Sequence, residues 1–386
     1  MSKPRATRWP CLLAVWIGAV AACAAVVGQT RHAPAYELTP ALLDLPEGRW
    51  IKIHQQRPGD AVTFARQPHG GSAFDSRRGR LVLFGSDTHG RDWANSPLVF
   101  DLARMAWQRL YPDDGPATYA VTDAGLPVAG PDGNHPWAMH TFGAVTYDPA
   151  ADVLVVASYP EHMSPGRFTD ALTHLWPRVR RHPTWALHLG SGRWEPLDTN
   201  PVHFFAKATA FDTHRGVVMG YAHNSVYEFS FADRRWRKVA GSGWPGWANN
   251  VVYDSSQRAL ITFGDNRGRN DIGVYKPASG RHRVMPTPGP RPKSASYVPM
   301  AFHPGIGRTV ALVDRPLDPG TRDRAKMRAE TWLYDLENDA WTRLTDATLP
   351  FGVGMNYNLD YDPGHGLLLL VADPPGEPVA VWALRL

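Results

Sequence analysis

Two histidines, His69 and His140, each stand just ahead of a short run ending in an aromatic residue and aspartate, Ser72–Asp75 and Ala144–Asp148. The same place before comparable runs is held by Lys207, by Asn249 and Asn250, by Tyr297 and by Asn356. Such a set, gathered round one point, can move protons. A tyrosine or histidine would abstract the C5 proton of a uronate while an asparagine or arginine neutralises the carboxylate and makes that proton acidic enough to remove. His69, His140 and Tyr297 are therefore the candidates for acid–base work. Lys207, His223, Asn249, Asn250 and Asn356 are candidates for ligand binding. A divalent metal held by His69, His140 and His223 is a lesser alternative, because neither an HxH nor an HExxH spacing occurs. No other cofactor is expected.

A second group is basic and aromatic. Arg178, Arg180 and Arg181 lie in the polar stretch 158–184, Arg315, Arg322, Arg324 and Arg328 in 314–329, and Arg267 and Arg269 in Gly264–Arg269. Guanidinium groups bind carboxylate, sulfate or phosphate with two parallel hydrogen bonds. Trp137, with Trp93, Trp176, Trp244 and Trp247, could stack on sugar rings. Together they suggest an anionic glycan; the plainer alternative is a solvated loop surface with its aromatics packed underneath.

What must position these residues is a repeat. One unit reads Ser72–Asp75, Arg80–Gly85, Leu98–Leu102 and Trp107–Leu110: four short apolar runs with tight turns after the first and third. The order recurs from Ala144, Ala208, Val251, Met300 and Leu359, six units in all. Gly and Pro, 35 each, make up about 9% of the chain apiece, above ordinary usage, and aromatic residues are frequent. This composition suits short strands joined by turns. The sixth unit has three runs, and Arg49–Ile53 has the pattern of a fourth. A ring closed by that N-terminal strand leaves no sheet edge exposed. In such a ring the long insertions, 85–97, 111–136, 158–184 and 314–329, all fall on one face, where function usually resides. The other face carries short turns such as Asp75–Gly79 and Asp212–Gly216.

The units resemble Kelch repeats, with an aromatic–Asp end to the first strand and a Trp opening the fourth. The Gly–Gly doublet is reduced to single glycines at Gly85, Gly220 and Gly264. The resemblance implies an all-β, six-bladed propeller over residues 48–386. It does not choose among enzymes and interaction domains. Galactose-oxidase-type chemistry needs a cysteine crosslinked to tyrosine, and the only cysteines are Cys11 and Cys23. A GxSxG elbow is also missing.

Residues 1–28 begin with Lys3, Arg5 and Arg8 and continue as an uncharged, mostly apolar run to Val27. That pattern predicts a signal peptide, a lipoprotein signal acylated at Cys23, or a membrane anchor. Residues 29–47, with Pro34, Pro40 and Pro46, read as a tether. The net charge of +5 in an exported protein points away from nucleic acid. The expectation is a periplasmic or otherwise extracytoplasmic binding module for an anionic polysaccharide or envelope component. A uronate lyase or sugar-acid epimerase, and a scaffold for an envelope protein assembly, are the alternatives.

Overall fold

The structure is a computed structural model that describes residues 36–386 except 63–65, 91, 166–171, 198–201, 203, 205–207, 242–247, 266–270 and 294. Six four-stranded antiparallel sheets follow one another along the chain. Blade 1 comprises Gly71–Asp75, Arg80–Phe84, Leu98–Asp101 and Ala106–Arg109; blade 2 comprises Val145–Asp148, Val153–Val156, Trp185–His188 and Arg193–Pro196. Blades 3, 4 and 5 begin at Thr209–Asp212, Asn250–Asp254 and Met300–His303. Blade 6 has Leu359–Asp362, Leu367–Ala372 and Ala380–Arg385. The first strands of successive blades pack side by side, and that of blade 6 meets that of blade 1. The architecture is a six-bladed β-propeller.

Its closure is the one anticipated. Trp50–Gln55 pairs antiparallel with Ala380–Arg385, running from Trp50 opposite Leu384 to Gln55 opposite Ala380. The sequence nearest the N-terminus thus supplies the outer strand of the last blade.

The core lies between blades. Alternate side chains of a strand point to opposite faces, and in a propeller both faces are covered. Leu367, Leu369 and Val371 therefore pack with Leu81, Leu83, Phe100 and Trp107 of blade 1. The intervening Leu368, Leu370 and Ala372 pack with Val310, Leu312 and Ala329 of blade 5. This explains why Leu367–Val371 is apolar without alternation.

Five of the six first strands end in an aspartate that accepts backbone N–H bonds from the following turn. Asp75 takes those of Arg77 and Arg78 at 3.0 and 3.2 Å, and Asp212 those of His214 and Arg215 at 3.0 and 3.1 Å. The aromatic–Asp signature is thus a turn-capping device. Blade 5 departs from it with His303, a buried ring tilted against Tyr361 with centroids 4.6 Å apart.

Two insertions read as loops are ordered hairpins. The two ends of 314–329 extend the middle strands of blade 5, Arg308–Pro316 against Met327–Asp335, and 317–326 connects them. Within 111–136, Ala120–Val121 pairs with Pro127–Val128. Of the segment read as a tether, residues 36–47 lie against the ring. Tyr36 donates to Asp362, Thr39 N donates to His365 Nε2 at 2.9 Å, and Leu42 is buried beside blades 1 and 6. Residues 1–28 lie outside the described residues, among which no helix is long and apolar enough to cross a membrane.

Trp50 tests the closure. Its ring packs with the blade 5–6 core, and its indole N–H donates to Thr331 Oγ1 at 2.9 Å. Trp50→Ala should lower unfolding free energy by about 3–5 kcal/mol in denaturant titration.

Candidate functional site

The loop face is stitched together where the link into blade 2 crosses blade 1. Thr141 N donates to His69 O at 3.0 Å, Ser86 N to Met139 O at 3.0 Å, and Gly71 N to Thr141 Oγ1 at 2.8 Å. Three backbones meet at Gly85, whose φ is +128°. A Cβ there would stand 2.6 Å from Thr141 Oγ1 and 2.7 Å from Gly70 Cα. Beneath lies Arg66, 1% exposed, donating to Gly85 O and Ser96 O, each at 2.5 Å. Its own carbonyl accepts Gly70 N at 3.0 Å, closing the turn that carries His69.

This stitching brings His69 and His140 together, their ring centroids 4.2 Å apart. Three residues that the sequence reading did not single out as site residues join them. Asp87 and His89 come from the loop after the second strand of blade 1, and His162 from the corresponding loop of blade 2. Asp87 reaches His89 Nδ1 at 3.1 Å, His69 Nε2 at 3.6 Å and His140 Nε2 at 3.7 Å. His162 Nδ1 lies 3.3 Å from His140 Nε2. The signal for Asp87 and His89 was present in Ser86-Asp87-Thr88-His89, an Asp-x-His step directly after Gly85. His140 and His69 are buried, while Asp87 and His89 face solvent in part.

Burial, followed by the neighbouring His69, His162 and His89, drives the His140 pKa far below the ordinary imidazole range. Burial also lowers His69 to about 4, against the opposing pull of Asp87. At neutral pH both rings are uncharged, with lone pairs available as acceptors or ligands.

Beside this pocket the axis is plugged. Phe142 from the link into blade 2 stacks on Tyr297 from the link into blade 5, centroids 6.0 Å apart. Tyr357, entering blade 6, completes the trio at 6.0 and 5.8 Å. Blades 2 and 5 are opposite in a six-bladed ring, so this contact spans the axis. Phe142 and Tyr297 both have positive φ, 48° and 59°, a strained conformation for aromatic residues. Tyr297 is thus near the pocket but separated from His140 by Phe142, which lies 5.4 Å from the His140 ring.

The remaining candidates do not join the histidines. Trp137 is a core residue, not a stacking platform: it is 1% exposed and its indole N–H donates to Val128 O at 2.8 Å. Asn250 and Asn356 are also corrected from ligand groups to fasteners. Asn250 Nδ2 donates to Val298 O at 3.0 Å and Asn356 Nδ2 to Val371 O at 2.9 Å, both buried. Asn249 is fully buried, and its amide has no partner among the described residues. His223 is exposed at the two-residue turn joining Val217–Ala222 to Ser225–Ser230, away from the cluster. Lys207 and Arg267 lie outside the described residues.

The arginines mostly serve the fold. Arg324 holds Asp373 at 3.0 Å and Gly352 O at 2.7 Å. Arg315 pairs with Glu330 at 2.6 Å, and Arg178 donates to Val121 O at 2.8 Å. Arg180 is exposed over the small hairpin, its N–H bonded to Gly125 O at 2.9 Å. Arg181 has its Nε enclosed without a hydrogen-bond partner among the described residues.

The axial channel, about 280 Å³, is lined by all six first strands. Within it Ser72 Oγ donates to Asp360, and burial pushes the Asp360 carboxyl up to about 7.

No protein-family model matches the chain. No curated protein matches it either. Among solved structures, a structural genomics protein of unknown function from Bacteroides thetaiotaomicron VPI-5482 is 10% identical, with a TM-score of 0.49 over 86% of this chain and 75% of that one.

Two substitutions probe these arrangements. Gly85→Ala combines a disfavoured φ with backbone overlap and should cost at least about 2 kcal/mol in denaturant titration. Asp360 has a folded pKa above its ordinary value, so stability falls as pH rises from the ordinary carboxylate range through 7. The loss is on the order of 3–4 kcal/mol. Asp360→Asn should therefore melt higher than wild type at about pH 8, with the advantage vanishing near pH 4.

Proposed function

We propose that the protein is a binding propeller outside the cytoplasm whose ligand docks over blades 1 and 2, at the cluster of His69, Asp87, His89, His140 and His162. The observation that carries this reading is the convergence of those side chains, drawn from two links and two loops, with partial exposure of Asp87 and His89. A few convergent polar groups on a rigid scaffold are what small-ligand recognition requires. The export pattern of residues 1–28 favours an anionic sugar acid or envelope component as the ligand class, and the repeat remains Kelch-like by its motifs. The separation of Tyr297 from the histidines and the internal pairing of Arg315 and Arg324 favour binding over uronate elimination.

Calorimetric titration with oligouronates tests this. His89→Ala should weaken binding at least tenfold, while Lys238→Ala, exposed on the outer strand of blade 3, should not alter it. Binding that survives His89→Ala but is lost on reversing Arg180 and Arg181 to glutamate would move the site to the small hairpin. No binding across a broad uronate panel would refute the ligand class.

A further inference from the structure

We propose that His69, Asp87, His89 and His140 bind one divalent transition-metal ion of the zinc type, an inference that deepens the reading of this pocket as the functional site. One donor atom from each of the four lies within 4.8 Å of all the others. A tetrahedral ion with bonds near 2.0–2.1 Å would hold its ligands about 3.3 Å apart. Asp87 Oδ1 lies 3.1 Å from His89 Nδ1 and 3.7 Å from His140 Nε2, and Asp87 Oδ2 lies 3.6 Å from His69 Nε2, each close to that spacing before any ion draws them in.

The donors also select the ion. Three imidazoles and one carboxylate, with no thiolate, suit zinc, cobalt or nickel and disfavour magnesium and calcium, which take oxygen ligands. Three imidazole nitrogens and one carboxylate are the donor types of a cation site. His140 Nε2 accepts a hydrogen bond from Thr88 N at 3.2 Å; a bound ion would take over that lone pair and displace the long contact. Entry is through Asp87 and His89, whose side chains are 27% and 35% exposed, against 10% for His69 and none for His140. A bound ion would also supply positive charge for an anionic ligand.

The test uses the full chain, stripped with a chelator and titrated with zinc, cobalt(II) or magnesium alone. The expected result is one zinc per chain, a rise in Tm with zinc, visible cobalt d–d bands, and no response to magnesium. Asp87→Asn keeps an oxygen to accept the His89 backbone N–H. That variant and His89→Gln, each checked for native circular dichroism, should lose at least tenfold in zinc affinity, while His223→Ala should match wild type. A wild-type chain that takes up no zinc, or variants that bind it as tightly as wild type, would overturn the proposal. Oligouronate binding by chelator-stripped chain that takes up no zinc would overturn it and spare the ligand reading. Zinc binding without oligouronate binding would sustain it and refute the ligand class.

Discussion

A ring of sheets is stable only when its two ends are hydrogen-bonded to each other, and here that burden falls on the pairing of Trp50–Gln55 with Ala380–Arg385. Every blade packs against two neighbours, so each inter-blade core presupposes a complete circle. The closing strand also anchors its own approach. Arg385, at the end of the paired strand, donates to Leu42 O at 2.7 Å and His365 O at 2.9 Å. Residues 36–47 are thereby drawn onto the turns of blades 1 and 6. Closure, the clasp of the N-terminal segment and the blade 1–6 core are one cooperative unit.

The site depends on that circle through blade 1. His69 rides on a turn closed by Arg66, and Arg66 is held by carbonyls on either side of the Asp87–His89 loop, at Gly85 and Ser96. The link carrying His140 is pinned to blade 1 by backbone bonds from Thr141 N to His69 O and from Ser86 N to Met139 O. Main-chain bonds thus set the positions of the loops and links that carry the imidazoles, and the contacts with Asp87 and with one another come on top of that frame.

The fold was legible because its signals repeat. Apolar runs of strand length, aromatic–Asp ends and an orphan strand at one end leave few arrangements other than a closed ring. The site was legible in part, and for a physical reason. Position ahead of a first strand brings a residue toward the axis, so His69 and His140 could be picked out. The same position also leaves backbone groups that need partners, and Asn250 and Asn356 are spent on those. Trp137 was misread because an isolated tryptophan in a long insertion does not reveal that the insertion folds over it, with Tyr119 and Trp176 packed alongside. Asp87, His89 and His162 sit in loops whose conformation no periodicity encodes; only the fold decides that two such loops from adjacent blades meet.

The aromatic trio on the axis has a mechanical meaning. A hoop of blades joined only to their neighbours can flatten toward an ellipse with little change in any single interface. Phe142 against Tyr297 acts as a spoke across the diameter, and Tyr357 braces it from a third direction. Thr141 alone separates Phe142 from His140, so the histidine cluster stands at the hub end of that spoke. Its dimensions are gauged against blade 5, on the far side of the ring, as much as against the two blades that furnish its side chains.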